Sequence, residues 1–402
     1  MNMRINGKEL KEILDKAISN IESKTMDHLK RIYFSVEDGK LKLTTFNMNS
    51  NNKMQLDTYT ENIFFANTNN YKPFSIDVED AKIISKFKNE VVININEDGT
   101  ITVKHGNKTI TLKCCYTEDA KMDVDLVKIN MENNVEFLEM NENEFLEILS
   151  NLEVFSSCNN VNRITTVYNI NTAKHRITTL DGYRIGIKTL KEEHIVNDME
   201  VNLTTKCLKA LKKVSDKKDN TRKVNVAFDG KYIIINGKDY KYIIENCDGK
   251  YFDVEKFLTD NYTSTVVVED PKQWLEVFKY DFELRKTCDK DNKKPIVFYY
   301  DNNELYCYFE NQKYKTLDVL ETKEKNIVDN FTIGFDPRLM KDGFNILNGE
   351  TKIGFVDAKS PAIMENKEYT LVVLPINIRI NGSIESLHNE IKTEIEKSMK
   401  VA

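Results

Sequence analysis

Lys206, Lys209 and Lys213 stand three and four residues apart in TTKCLKALKKV, a spacing that gathers all three on one face of a helix. Cys207, Leu208, Leu211 and Val214 interleave with them and form an apolar stripe on the opposite face. Ammonium groups on a smooth surface suit a polyanion held by its phosphates and not read by its bases. The helix is expected to run from Thr204 to Lys223, adding Lys212, Lys217, Lys218, Arg222 and Lys223 against Asp216 and Asp219. Weaker copies of the pattern occur at Lys24, at Lys82 and Lys86, at Lys272 and Lys279, and at Arg338 and Lys341. One comparable stretch departs from it, carrying Glu142, Glu144 and Glu147.

No residue set points to catalysis. The phosphate-cradling GxxxxGK[ST] and GxGxxG loops are absent, as are HExxH and GxSxG. Asp181-Gly182 in TTLDGYRIGIK reads as a turn, where Asp before Gly is structural. The five histidines are far apart, so spacing gives no metal site, and no cofactor is expected. Seven cysteines, an odd number without a CxxC pair, read as reduced thiols in a cytosolic protein. The N-terminal MNMRINGKELKEIL lacks an apolar signal region, and no apolar run reaches the ~18 residues of a membrane span, so a cytoplasmic location is expected. A net charge of −6 taken alone argues against nucleic acid, but an acidic shell can surround a basic lining.

The elements that must position these lysines form a repeat. Six apolar strands run into a residue able to cap a helix: Asn6, Asp77, Asn141, Thr204, Asp270 and Asp336, at intervals of 63 to 71 residues. Each start opens an amphipathic stretch. The buried stripes are expected at Leu10, Ile13, Leu14 and Ala17; at Ile83, Ile84 and Phe87; and at Phe145, Ile148, Leu149 and Leu152. They continue at Cys207, Leu208, Leu211 and Val214; at Trp274, Val277 and Phe278; and at Leu339, Ile346 and Leu347. Short alternating strands with Asp-Gly and Asn-Gly turns follow each helix, as in VVININEDGTITVKHGNKTITLKC. The fold class is therefore α+β, six βαβββ units paired into three similar domains over 1–128, 129–262 and 263–380. A helical extension over 381–402 follows, where Ile384, Leu387, Ile391 and Ile395 fall at helical spacing.

TTLDGYRIGIK (178–188) resembles the alanine-threonine-aspartate-glycine-histidine-arginine-leucine signature of bacterial DNA polymerase III beta subunits, the sliding clamps. FTIGFDPRLMKDGFNIL (331–347) followed by YTLVVLPINI (369–378) is similar to that family's last helix and terminal strand, and LKEILDKAI and IYFSVEDGKLKLTTF fit the same pattern. The resemblance covers roughly residues 3–380 and implies the DNA clamp fold in a ring-forming homodimer. Such a ring encircles double-stranded DNA without regard to sequence. It is a non-catalytic processivity factor whose partners are the replicative DNA polymerase and the clamp loader. The resemblance further implies a peptide-binding pocket between the second and third domains. Carried over, one wall is Thr166, Leu180, Gly182, Tyr183, Arg184 and Ile185, and the other is Val372, Val373, Leu374, Pro375, Ile376 and Ile378. The ring contact is expected to place Ile110 near Phe282 and Leu284 of another copy.

Three departures accompany the resemblance. Tyr183 stands where the family has histidine, and Asn377 where arginine is usual. The third helix is acidic. The extension beyond the terminal strand is expected either to cover the pocket and compete with partner peptides, or to dock elsewhere. The rival to a clamp is a clamp-fold protein–protein scaffold that does not encircle DNA.

Overall fold

The computed structural model describes residues 2–22, 29–37, 39–49, 52–61, 63–65, 73–96, 100–113, 133–157, 162–287, 294–329, 331–378 and 384–401. Lys24, Cys114, Cys115, Cys158 and Cys288 lie outside them. Six repeats of strand, helix and three strands follow one another. The first is β1 (Asn2–Asn6), α1 (Gly7–Ile18), β2 (Arg31–Glu37), β3 (Lys40–Asn49) and β4 (Asn52–Thr60), with a short extra strand β5 (Ile63–Phe65). The second is β6 (Phe74–Asp77), α2 (Val78–Ile84), β7 (Glu90–Ile95), β8 (Thr100–His105) and β9 (Lys108–Lys113). The third is β10 (Val135–Asn141), α3 (Glu142–Glu153), β11 (Val167–Asn171), β12 (Arg176–Leu180) and β13 (Arg184–Thr189). The fourth is β14 (Glu200–Thr204), α4 (Leu208–Val214), β15 (Lys223–Phe228), β16 (Tyr232–Asn236) and β17 (Tyr240–Glu245). The fifth is β18 (Ser264–Val268), α5 (Pro271–Lys286), β19 (Ile296–Asp301), β20 (Glu304–Glu310) and β21 (Lys315–Val319), with an extra β22 (Glu324–Asn326). The sixth is β23 (Thr332–Phe335), α6 (Pro337–Phe344), β24 (Thr351–Phe355), β25 (Ala362–Glu365) and β26 (Tyr369–Val373). Helix α7 (Ile384–Val401) comes after them.

The helix starts fall on the expected residues. Asn6, Asp77, Asp270 and Asp336 accept the backbone N–H two residues on, and Asn141 accepts those of Asn143 and Glu144. Each such bond satisfies a donor that the first turn leaves free. Thr204 makes no side-chain cap bond and opens a 3₁₀ turn, Thr205–Cys207, ahead of α4. The apolar stripes are buried as expected in α1 and α3; the fourth is buried too, with Cys207 in the turn before α4, and in the sixth Leu339 is buried on α6 while the buried Ile346 and Leu347 follow the end of the helix. In α2 the stripe is Val78, Ala81 and Ile84, and Ile83 is 48% exposed because its neighbour already occupies the inward position. In α5, Trp274 and Phe278 are buried and Val277 is half-buried. The fourth helix is shorter than its lysine run, ending at Val214, and Lys223 already belongs to β15.

Strand pairing interlocks consecutive repeats. β1 joins β7 of the second repeat, while β6 pairs with β2 of the first. The third and fourth repeats exchange β10, which pairs with β15, and β14, which pairs with β11. The fifth and sixth exchange β18, which pairs with β24, and β23, which pairs with β19.

The chain divides into two compact units. The first comprises Met1–Ser150, Val167–His175 and Leu190–Lys250. It contains the sheets β5-β1-β7-β8-β9 and β10-β15-β16-β17-β4-β3-β2-β6. The β17–β4 ladder, Tyr240↔Thr58 through Ile244↔Met54, makes the second sheet continuous across repeats one to four. Its core packs Leu10 and Leu14 of α1 and Ile84 of α2 on Phe34, Phe74, Ile93 and Val103.

The second unit comprises Asn151–Thr166, Arg176–Thr189 and Tyr251–Ala402. Within it, seven strands follow the order β12-β13-β26-β25-β24-β18-β22, and four more the order β21-β20-β19-β23. Its core is aromatic. Trp274 stacks on Phe344 at 5.6 Å and meets Phe298 edge-on at 5.8 Å, with its indole N–H donated to the Glu321 carbonyl.

Helix α7 lies on the four-stranded sheet of this unit. Leu387, Ile391 and Ile395 are buried against Val297, Tyr299, Tyr306 and Tyr308, as the spacing of these residues requires. Of the two placements expected for the extension, this is docking on a sheet: no α7 residue lines the cleft described below, although Ile378, one of the residues expected in the pocket, packs against the α7 cluster. No helix among the described residues is long and apolar enough to cross a membrane.

Candidate functional site

The TTLDGYRIGIK segment folds as the β12–β13 hairpin. Its turn needs Gly182, whose φ of 91° lies in the left-handed region that side chains disfavour. Asp181 holds the turn: Oδ1 accepts the backbone N–H groups of Tyr183 (2.9 Å) and Arg184 (3.1 Å), and Oδ2 accepts Arg184 Nε–H at 3.0 Å. Arg184 is buried. Its Nη1 donates to Asp342 Oδ2 at 3.0 Å, its Nη2 to the Val154 carbonyl, and its guanidinium lies 5.1 Å over the Phe155 ring. Two carboxylates thus compensate one guanidinium, and its planar fork fixes the hairpin to α6. Gly186 leaves room for Phe155, since a Cβ there would come within 2.8 Å of the ring.

β26 pairs alongside, Arg184↔Val373 to Lys188↔Tyr369, and Leu374 N–H donates to the Tyr183 carbonyl at 2.9 Å. Between the hairpin tip and the end of β26 lies a cleft of about 280 Å³. Leu180, Gly182, Tyr183, Arg184, Ile185, Val372 and Leu374 line it, as expected, together with Asn162, Thr165, Phe252 and Phe257. Tyr183 is 65% exposed and Phe252 46% exposed, and together at one cleft they make a contiguous apolar surface of the kind that marks binding sites. Phe252 and Phe257 lie 5.7 Å apart and form an aromatic wall.

Five expected residues do not line the cleft. Strand alternation turns Val373 away from Val372 and Leu374. Thr166 donates its hydroxyl to the Arg163 carbonyl within a short 3₁₀ turn. Pro375 lies past the end of β26. Ile376 N–H bonds the Gly334 carbonyl at 2.8 Å, and Ile378 packs into the α7 cluster. Phe252 and Phe257 escaped the sequence reading; the apolar pair in YFDVEKF, ahead of β18, was the available signal.

The lysines separate into two groups. Lys206, Lys209 and Lys213 are exposed, and among the described residues no carboxylate lies within ion-pair distance of them. Lys82 pairs with Glu79 at 2.6 Å and Lys279 with Glu276 at 2.7 Å, each one turn back on its own helix. Lys341 lies 3.3 Å from Asp342 and 4.4 Å over the Phe282 ring. Lys86 and Arg338 are exposed, and Lys212 is half-buried. Arg222 is not a surface cation: its buried side chain sits 2.8 Å from Glu142 and 2.9 Å from Asp239. Glu142, at the start of the acidic third helix, is thereby structural.

Ile110 is half-buried on β9, a terminal strand of its sheet, and Phe282 and Leu284 are half-buried on α5. Among the described residues no three metal-ligating side chains converge, and the side chains of Cys207, Cys247 and Cys307 are buried.

Six interlocked βαβββ repeats with this cleft can be compared with solved structures. A putative DNA polymerase III beta subunit from Eubacterium rectale superposes with a TM-score of 0.80 at 16% identity, covering 94% of this chain and 99% of that one. The beta subunit from Streptococcus pyogenes gives 0.80 at 16%, covering 94% and 100%. The DNA polymerase sliding clamp from Bacillus subtilis gives 0.80 at 14%, with the same coverage. This chain has the sliding-clamp fold. No protein-family model and no curated protein sequence matches it.

Proposed function

We propose that this chain is a sliding clamp, a non-catalytic processivity subunit. It closes as a head-to-tail homodimer around double-stranded DNA and tethers a replicative DNA polymerase. The observation that carries this is the clamp fold over 94% of the chain, joined to three exposed lysines, Lys206, Lys209 and Lys213, on α4 and the turn before it, with no carboxylate within ion-pair distance among the described residues. Three domains, near 1–128, 129–262 and 263–380, correspond to the three pairs of strand-exchanging repeats, with α7 as an added piece. Encirclement removes dissociation as an escape route, so the ammonium–phosphate contacts need only be weak and sequence-independent.

The cleft would receive a short peptide bearing leucine and phenylalanine from the polymerase or the clamp loader. Apolar walls supply the burial, and backbone groups at the Tyr183–Leu374 edge orient it. For ring closure, β9 with Ile110 would meet the β21 side of another copy, near Phe282 and Leu284. No step requires a cofactor or metal, and the protein would act in the cytoplasm beside the replication machinery.

The test is retention on nicked circular DNA. A clamp loaded on the circle stays bound until the DNA is linearised, then slides off. Equal release from circular and linear DNA would leave only a scaffold or a surface binder.

A further inference from the structure

Strand β21 is the terminal strand of the four-stranded sheet, hydrogen-bonded on one side to β20. Terminal strands are usually blunted by bulges, prolines or shortness, because a free edge recruits other strands. Here the edge is reinforced from both faces. On one face Leu317 packs with the cluster that holds Leu387, Ile391 and Ile395 of α7. At the start of the strand, Lys315 Nζ lies 2.6 Å from Glu390, 3.7 Å from Glu394 and 3.5 Å from Glu310. Glu390 also accepts the Tyr308 hydroxyl at 3.1 Å. On the other face Thr316 donates its hydroxyl to the buried Asp281 of α5 at 2.9 Å.

We infer that α7 is a splint: it holds β21 in a pairing-ready conformation so that the edge can accept a strand from a second copy of this chain. This rests on the ring reading above and adds a determinant of ring lifetime to it. A strand already ordered loses little conformational freedom on pairing, so splinting strengthens the dimer without touching the partner. The α7 face turned away from the sheet is polar, carrying Glu385, Asn389, Thr393 and Glu396, and the exposed apolar side chains of the helix, Ile384 and Met399, sit near its two ends.

The experiment compares the full chain with Ile391→Asp, which expels the helix from its cluster, and with Lys315→Glu alone and combined with Glu390→Lys. Dimer dissociation is measured by sedimentation, β21 amide exchange by mass spectrometry, and cleft function by titration with a leucine–phenylalanine peptide. The expected result for Ile391→Asp and Lys315→Glu is faster β21 exchange and a dimer weakened about tenfold or more, with peptide affinity unchanged. Restoration of the dimer by the charge-swapped pair supports the splint even if Ile391→Asp fails to fold. An unchanged dimer despite faster β21 exchange overturns it. A full chain that stays monomeric at every concentration overturns the ring reading itself, a different result from loss of the dimer in the variants alone.

Discussion

Two apolar surfaces in the second unit meet opposite fates. The outer face of β19–β20–β21 is covered by the chain's own helix, which buries Leu387, Ile391 and Ile395 and frames them with Lys315, Glu390 and Glu394. The cleft beside β12, β13 and β26 stays open, with Tyr183 and Phe252 displayed to solvent. Apolar area of similar chemistry is thus spent once on stability and once on recognition. The open surface is rigid: its hairpin is tied by Arg184 to Asp181, Asp342 and the Val154 carbonyl. A preformed cleft of that kind binds without first having to order itself.

Four substitutions bear on this contrast. Ile391→Ala, at the centre of the covered face, should cost about 2–5 kcal/mol in denaturant unfolding. It should leave peptide titration at the cleft unaltered, and a matching loss of peptide affinity would erase the distinction between the two surfaces.

Asp281→Asn acts beneath the covered sheet. Burial pushes the Asp281 carboxyl up to about 6, against the opposing bond from Thr316. The folded chain therefore holds this proton more tightly than the unfolded chain does. Stability falls as pH rises through roughly 4 to 6 and stays lower above that. The asparagine should add about 2–3 kcal/mol at pH 7 and flatten this part of the profile in thermal melts at several pH values.

In the open cleft, Phe252→Ala should weaken peptide binding by about 1–2 kcal/mol with little change in melting temperature, since the ring is half in solvent. Calorimetric titration would show it; an unchanged affinity would place the aromatic wall outside the footprint. Smallest is Gly182→Ala. Forcing a Cβ into the left-handed turn should cost about 1 kcal/mol of stability. Any loss of peptide affinity there would measure how far the tip must hold its shape.

The repeat was legible because its signals are local. Capping residues at Asn6, Asp77, Asn141, Asp270 and Asp336 act within one turn, and the apolar stripes act within a helix. Local signals gave only the Asp181-Gly182 turn of the hairpin; its place at the cleft came from the resemblance of TTLDGYRIGIK to the family signature. Tertiary placement was not legible. Phe252 and Phe257 reach the cleft from a segment with no regular period. Arg222 sits in a lysine-rich run and reads as a surface cation until Glu142 and Asp239 are seen around it. Val373 and Ile376 looked equivalent to Val372 and Leu374, and only strand alternation and the end of β26 tell them apart. Asp281 did leave a trace: it continues the Trp274 and Phe278 spacing, so a carboxylate falls in the buried stripe.

The exchange of first strands between paired repeats bears on how the chain reaches this structure. Met3 lies opposite Ile93, and Asp77 opposite Arg31. Neither partner can finish its sheet until the other has been synthesised and the intervening loop has closed. High contact order of this kind slows folding and prolongs the exposure of unpaired strand edges. Isolated single repeats should accordingly aggregate, and the smallest piece able to fold by itself should be an interlocked pair.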